Sequence, residues 1–334
     1  MEEIAAFGII GDGGWGTALA VHLDRLGHRV TVWGPFPQQI EEIRGQRENV
    51  RFLPGVKLNR RIRWTAEPAE ACRGVDFLVA AVPSRFLVKV LEKFPRPLPP
   101  EIIVVNVAKG FEPATGRRLS LVIREILQTE RVAVLSGPSH AEEVARGVPT
   151  AVVAAAPDLS LARRVQDVFS GRGFRVYTTD DMVGVELGGA LKNIMAIAAG
   201  ISDGLGFGDN TKAALITRGL AEMIRLGRCL GARTETFAGL SGIGDLVVTA
   251  TSRLSRNRAV GERIGKGEPA GRVVDSMAQV AEGVWACLEV RRLATRHGIQ
   301  MPITEQVYQV IHGGKSPAAA VQNLLERPFR DEFY

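Results

Sequence analysis

Six residues near the start of the chain, Gly11-Asp12-Gly13-Gly14-Trp15-Gly16, constrain its fold more than any other segment. They fit G-x-G-x-x-G and stand between an apolar run at residues 4–10 and an apolar-periodic stretch at residues 17–26 that Gly27 ends. The short apolar run reads as a strand buried on both faces of a parallel sheet, and the stretch after the turn as a helix. In that setting the glycines have separate tasks. Gly11 permits the tight turn, Gly13 lets a pyrophosphate approach the backbone, and Gly16 lets helix and strand pack closely, while the helix N-terminus turns unpaired N–H groups toward the phosphates. Gly11, Gly13, Gly14, Trp15 and Gly16 are therefore the candidate dinucleotide contacts.

The rest of the first half continues the pattern. Residues 29–33 form a second strand, and strand-like runs follow at 76–82, 102–107, 132–135, 150–154 and 174–177, with helical stretches between most of them. Alternation of this kind predicts a mostly parallel, doubly wound sheet. After about Thr179 strand signals almost vanish, and long helical patterns such as 210–230 and 280–298 take over. The expected organisation is a Rossmann-type α/β domain, residues 1–181, followed by an all-α domain, residues 182–334, with the boundary near Met182. Two domains also suit a chain of 334 residues.

Composition narrows the function. The formal charge is +6, from 42 Lys and Arg against 36 Asp and Glu, and the excess is spread along the chain. That balance suits an anionic small molecule; no basic run carries interleaved aromatics, so a nucleic-acid partner is not expected. Cys72, Cys229 and Cys287 are odd in number and widely spaced, which argues against a disulfide framework or a zinc site, so no metal is expected, and points to the reducing cytoplasm. The N-terminus opens Met1-Glu2-Glu3 with only a few apolar residues before Gly11, so neither a signal peptide nor an integral membrane contact is expected.

The candidate chemistry lies in polar residues that serve no evident helix face. Lys192-Asn193 sits within an apolar, small-residue run, on a helical stretch where Glu186, Ala190, Asn193 and Ile197 share a face with Lys192 at its margin. A lysine there can snorkel to water. Gly188-Gly189, one turn earlier, removes side chains and suits close approach of another backbone or a ligand. Lys109 and the segment Ser136-Gly137-Pro138-Ser139-His140 follow two of the predicted strands, at the edge where open α/β sheets bind ligands. Ser139 with Glu142 also reads as a helix capping box. Further on, Asp245 stands in the glycine-rich segment Gly239-Leu240-Ser241-Gly242-Ile243-Gly244, followed by Thr249 and Ser255-Arg256-Asn257-Arg258. Arg, Asn and Thr together grip a phosphate, the guanidinium through paired charge-assisted bonds and the neutral groups through orientation.

These segments, together with Gly11 to Ala20 and Ala108-Lys109-Gly110, resemble the bacterial NAD(P)-dependent glycerol-3-phosphate dehydrogenases, and the similarity runs from Gly8 to about Phe329. The resemblance implies reduction of dihydroxyacetone phosphate to sn-glycerol 3-phosphate, a phospholipid precursor, by a two-domain and commonly dimeric enzyme. It implies that Lys192 is the acid–base residue and that Lys109, Gly137, Ser139, Asn193, Asp245, Thr249, Ser255, Arg256 and Asn257 form the substrate pocket. Lys109, Ala141, Arg256, Val280 and Glu282 would touch the cofactor. Burial and the neighbouring cations push the Lys192 pKa down, whereas Asp245 and a substrate phosphate push it up.

The chain departs from the family in two places. The turn carries Asp12 and Gly14 where Ala or Ser is common, so the acid must point away from the pyrophosphate or be screened. Beyond the second strand Gly34-Pro35-Phe36-Pro37 offers neither the acid that meets a ribose nor the Arg that holds a 2′-phosphate, although Phe36 can stack near the adenine and Arg44 or Arg47 can reach in. NAD and NADP both remain open as cofactors. Two other functions fit the same architecture: a reductase of a 3-hydroxy acid, and a non-catalytic protein that senses NAD(P).

Overall fold

The computed structural model describes residues 4–113, 115–277, 279–329 and 331–332; the N-terminal Met1-Glu2-Glu3 lies outside the described residues. The first half runs β1 Ala6–Ile10, α1 Gly14–Arg25, β2 Arg29–Trp33, α2 Pro37–Gln46, β3 Glu48–Asn49, β4 Leu53–Lys57, β5 Arg63–Thr65, α3 Pro68–Ala71 and β6 Phe77–Ala80. It continues with α4 Ser84–Leu91, β7 Ile103–Asn106, α5 Leu119–Leu127, β8 Val132–Ser136, α6 Ala141–Arg146, β9 Thr150–Ala155, α7 Leu159–Phe169 and β10 Phe174–Thr179.

Eight of these strands form one sheet in the order β10-β9-β8-β7-β6-β1-β2-β5. From β5 to β8 the strands are parallel, and their order reverses between β1 and β6, which opens a crevice at that switch point. β1, β6, β7 and β8 are buried along their whole length, as their unbroken apolar runs require. The mostly parallel sheet thus stands, with one qualification: β9 pairs antiparallel with β8, so β9 and β10 run against the rest. The small β3–β4 hairpin and β5 carried too weak an alternation to be read from sequence. The first helix begins at Gly14, three residues before its apolar periodicity starts, because the glycine turn is itself its first turn.

The second half is helical: α8 Met182–Gly204, α9 Asp209–Cys229, α10 Thr234–Phe237, a π-helical turn at Leu240–Gly244, α11 Asp245–Thr251, α12 Arg256–Gly265, α13 Ala270–Asp275, α14 Glu282–His297, α15 Pro302–His312 and α16 Pro317–Leu325. α8 organises it. Asp181 caps its start by accepting from the Gly184 N–H at 2.9 Å. By length and apolar content α8 could cross a membrane, with a mean hydropathy of 1.3, but 94% of that stretch is buried inside the protein. It is the core helix, with α9, α11, α12 and α14 packed around it. Contact with α12 is backbone-close: a Cβ on Gly200 would lie 2.0 Å from the Arg258 carbonyl oxygen, and one on Gly261 would lie 2.1 Å from that of Ile197.

Candidate functional site

The glycine turn fits a pyrophosphate. Gly11 has φ +116° and packs against the Ala81 carbonyl across the switch point, and Gly16 lies so close to the Gly11 carbonyl that a Cβ would fall 2.1 Å from its oxygen. Gly13, by contrast, faces open space, and no side chain caps α1. Open space at an uncapped helix start is what an anionic ligand needs. Gly14 lies near Ala141, whose Cβ is 3.8 Å from where one on Gly14 would be, and half-buried Trp15 packs against the sheet core. The start of α6, with Ala141, therefore borders the turn.

A carboxylate held by two ammonium groups lies at the centre of the site. α8 carries Lys192 and α11 carries Asp245; the Lys192 Nζ donates to Asp245 Oδ1 at 2.8 Å and to Thr249 Oγ1 at 2.6 Å. Lys109, from the loop after β7, donates to Asp245 Oδ2 at 2.7 Å and to the Gly137 carbonyl at 2.9 Å. Lys192 is 7% exposed and Asp245 1%. Burial pushes the Asp245 carboxyl up, but the two ammonium groups outweigh it and hold it below the ordinary carboxylate range. Burial dominates at Lys192, lowering it to about 8 against the pull of Asp245, with Lys109 and Arg256 adding to the fall. The two opposed influences read from the sequence thus resolve downward.

Glycines make the approach possible. A Cβ on Gly188 would meet the Ser241 carbonyl oxygen at 2.5 Å, and one on Gly189 would meet Ser136 Oγ at 2.8 Å and the Lys109 stem at 3.3 Å. One glycine admits a backbone and the other admits Lys109. Beside them, Asn257 Nδ2 donates to Asn193 Oδ1 at 2.9 Å, and Asn257 Oδ1 accepts from the Gly283 N–H at 2.9 Å.

Other sequence-read residues stand one step back. Ser255 caps α12 by accepting from the Arg258 N–H at 3.2 Å. Arg256 donates to the Val280 carbonyl at 2.9 Å. Glu282 bonds the Ser84 N–H at 2.8 Å and the Ser84 hydroxyl, joining α14 to the start of α4. The capping-box expectation at Ser139 is not met: α6 begins after His140, and the Ser139 hydroxyl donates instead to the Gly137 carbonyl at 2.9 Å. Glu186 points away from the pair at Lys192-Asn193, toward Ser120 and Arg118 of the sheet half. Arg44 and Arg47 do not reach the nucleotide edge either, since Arg44 bonds the Trp64 carbonyl and Arg47 those of Leu58 and Asn59. Phe36, 57% exposed, precedes α2.

Two groups, at the end of β8 and in the segment after it, had no role of their own in the sequence reading. Ser136 Oγ and His140 Nε2 are buried without a hydrogen-bond partner, Ser136 against Gly189 and His140 close enough to Lys192 to feel its charge. Burial and that charge keep the imidazole below its ordinary pKa, hence neutral. Orphaned polar atoms beside two lysines suit a polar ligand. A separate apolar cavity of about 300 Å³ lies among α8, α9, α15 and α16, and includes none of these residues.

A doubly wound sheet with a glycine turn open to a pyrophosphate, and a buried Lys-Asp-Lys cluster reached from the segments after β7 and β8, define a nicotinamide-dependent dehydrogenase with a helical second half. The chain belongs to the NAD-dependent glycerol-3-phosphate dehydrogenase family, whose N-terminal model matches residues 6–162 and whose C-terminal model matches residues 181–322. It is 51% identical over 334 residues to a glycerol-3-phosphate dehydrogenase [NAD(P)+] of Citrifermentans bemidjiense, covering 99% of each chain. To the protein of that name in Moorella thermoacetica it is 52% identical over 331 residues, covering 98% of this chain and 97% of the relative. Its fold matches the crystal structure of a glycerol-3-phosphate dehydrogenase from Coxiella burnetii with TM-score 0.91 at 39% identity, over 97% of this chain and 99% of that one.

Proposed function

We propose that this chain reduces dihydroxyacetone phosphate to sn-glycerol 3-phosphate, with Lys192 as the proton donor and a site shared between residues 1–181 and 182–334. The observation that carries the reading is the Asp245 carboxylate held between Lys192 and Lys109 at 2.8 and 2.7 Å. With its pyrophosphate held at the Gly11–Gly16 turn, NAD(P)H would supply the hydride. As hydride reaches the central carbon, the ketone oxygen gains negative charge and takes a proton from the Lys192 ammonium; in the reverse direction the neutral amine accepts that proton. Asp245 holds both lysines in place before reaction, so little reorganisation accompanies the developing alkoxide. Lys109, Arg256 and the Asn193–Asn257 pair supply the cation and neutral donors that a phosphate ester needs, with Gly137, Ser139 and Thr249 shaping the wall. Ser255 contributes by fixing the start of α12, on which Arg256 and Asn257 stand. Ala141, Val280 and Glu282 border the nucleotide.

The enzyme is expected to be a cytoplasmic homodimer that feeds phospholipid synthesis. Exposed Phe207 and Leu325 at the mouth of the remote apolar cavity offer a surface for a second copy, and sedimentation analysis checks the assembly. Oxidation of NADH or NADPH on addition of dihydroxyacetone phosphate, followed against a panel of keto acids, tests the reaction. Turnover only with keto acids would replace the substrate assignment, and no oxidation with any substrate would favour a nucleotide sensor.

A further inference from the structure

The adenosine end of the dinucleotide meets an unusual arrangement. β2 ends at Trp33 and is followed by Gly34-Pro35, so its tip carries neither the carboxylate that binds a ribose 2′-hydroxyl nor the guanidinium that accommodates a 2′-phosphate. A carboxylate reaches that tip from elsewhere. Asp12 leaves the glycine turn at the end of β1 and crosses to β2, where a Cβ on Gly34 would lie 2.5 Å from its Oδ2 and 2.6 Å from its Cγ. The Asp12 carboxylate therefore fills the space that a side chain after β2 would take, and only glycine at position 34 leaves that space open.

The placement is built. Gln39 on α2 donates Nε2 to Asp12 Oδ2 at 2.7 Å, while the Asp12 carbonyl accepts from Asn49 Nδ2 at 2.7 Å and from Thr17 Oγ1 at 3.3 Å. Among the described residues Arg51 is the cation whose charge acts on this group; it donates to Gln39 Oε1 at 3.3 Å and lies over the Phe52 ring. Arg44 and Arg47 are turned to the backbone of residues 58, 59 and 64. One arginine, already opposed by a carboxylate, makes a poor seat for a dianionic phosphate.

We propose that Asp12 replaces the missing acid of β2: its carboxylate accepts the 2′-hydroxyl of the adenosine ribose and repels a 2′-phosphate, which makes this chain selective for NADH over NADPH. Burial raises the Asp12 carboxyl to about 6, which still leaves it ionised at neutral pH. The inference rests on the nucleotide-binding reading above and adds the determinant of cofactor choice.

Isothermal titration of the protein with ADP-ribose and with its 2′-phosphorylated form tests binding without turnover. The expected result is at least tenfold tighter binding of ADP-ribose. Asp12→Asn, which keeps an acceptor for Gln39, should cut that ratio by tenfold or more, chiefly by improving the phosphorylated fragment. Asp12→Ser removes the charge by a second route should the first variant unfold on heating earlier than the parent. Equal affinities in the unmodified protein, a preference for the phosphorylated fragment, or a ratio unchanged in a folded variant would overturn the inference. Failure of both fragments to bind would instead overturn the nucleotide site itself.

Discussion

Lys192 carries its proton where burial opposes the charge, and this sets the pH behaviour of the reaction. With its pKa lowered to about 8, the ammonium needed for ketone reduction is present at neutral pH and is lost as pH rises through that value. The expected kcat/KM for reduction is therefore level below about 8 and falls roughly tenfold per unit above it, whereas oxidation of the alcohol climbs up to the same point. Rate profiles in both directions check this; parallel limbs in the two directions would remove Lys192 from the proton step. Lys192→Ala should lower turnover by roughly 10²–10⁴-fold while leaving the circular dichroism spectrum and NADH binding unchanged. Near-normal turnover in that variant would end the assignment. Asp245→Asn removes the carboxylate between two cations, so the limb for reduction should move to lower pH. A limb moving upward would mean that Asp245 does not hold the lysine charged.

Among the elements, three helices take their N-terminal partners from glutamates distant in sequence. No side chain of their own caps α4, α5 or α15. Glu282 accepts from the Ser84 N–H at the start of α4, Glu186 from the Ser120 N–H in α5 at 2.9 Å, and Glu222 from the Ile303 and Thr304 N–H groups of α15. This explains what the sequence could and could not reveal. β1, the glycine turn and the polar interruptions at Lys192-Asn193 and Asp245 are local patterns, legible because strand burial and helix periodicity act over a few residues. A cap supplied from 66 to 198 positions away has no local signature, so Glu186 read as part of the Lys192 face and the bond from Glu282 to Ser84 was not foreseen. Glu222 tests the arrangement through pH. Burial raises its carboxyl to about 7, whereas in the unfolded chain it titrates near 4.3. Between those values the folded state binds the extra proton, so this group's contribution to stability falls as pH rises toward 7 and stays low above it. The stability of the parent relative to Glu222→Gln, measured by urea unfolding, should be greater at pH 5 than at pH 8 by roughly 2–3 kcal/mol. A difference independent of pH would refute the raised carboxyl.

For the whole molecule, the same long-range bonds tie the sheet half to the helical half. Glu186 to Ser120 and Arg118, Asp245 to Lys109, and Glu282 to Ser84 all cross between them. The Glu282 contact is the one nearest the start of α4, and Gly110, beside Lys109, packs against the same Ser84 hydroxyl. Its carboxyl is raised by burial, so it is sustained by the two Ser84 bonds more than by Arg256 or Arg85. Losing it leaves the Ser84 N–H buried without its acceptor, at a cost of about 1–3 kcal/mol, and removes a tie between halves without touching either core. Glu282→Ala should then broaden the calorimetric unfolding transition, with the van't Hoff enthalpy falling below the calorimetric one as the halves cease to melt together. Saturating NADH, which the glycine turn and the helical half would both contact, should narrow the transition again. A variant that melts earlier but keeps the two enthalpies equal would show that the remaining bonds at Glu186 and Asp245 suffice to couple the halves, and that Glu282 serves α4 alone.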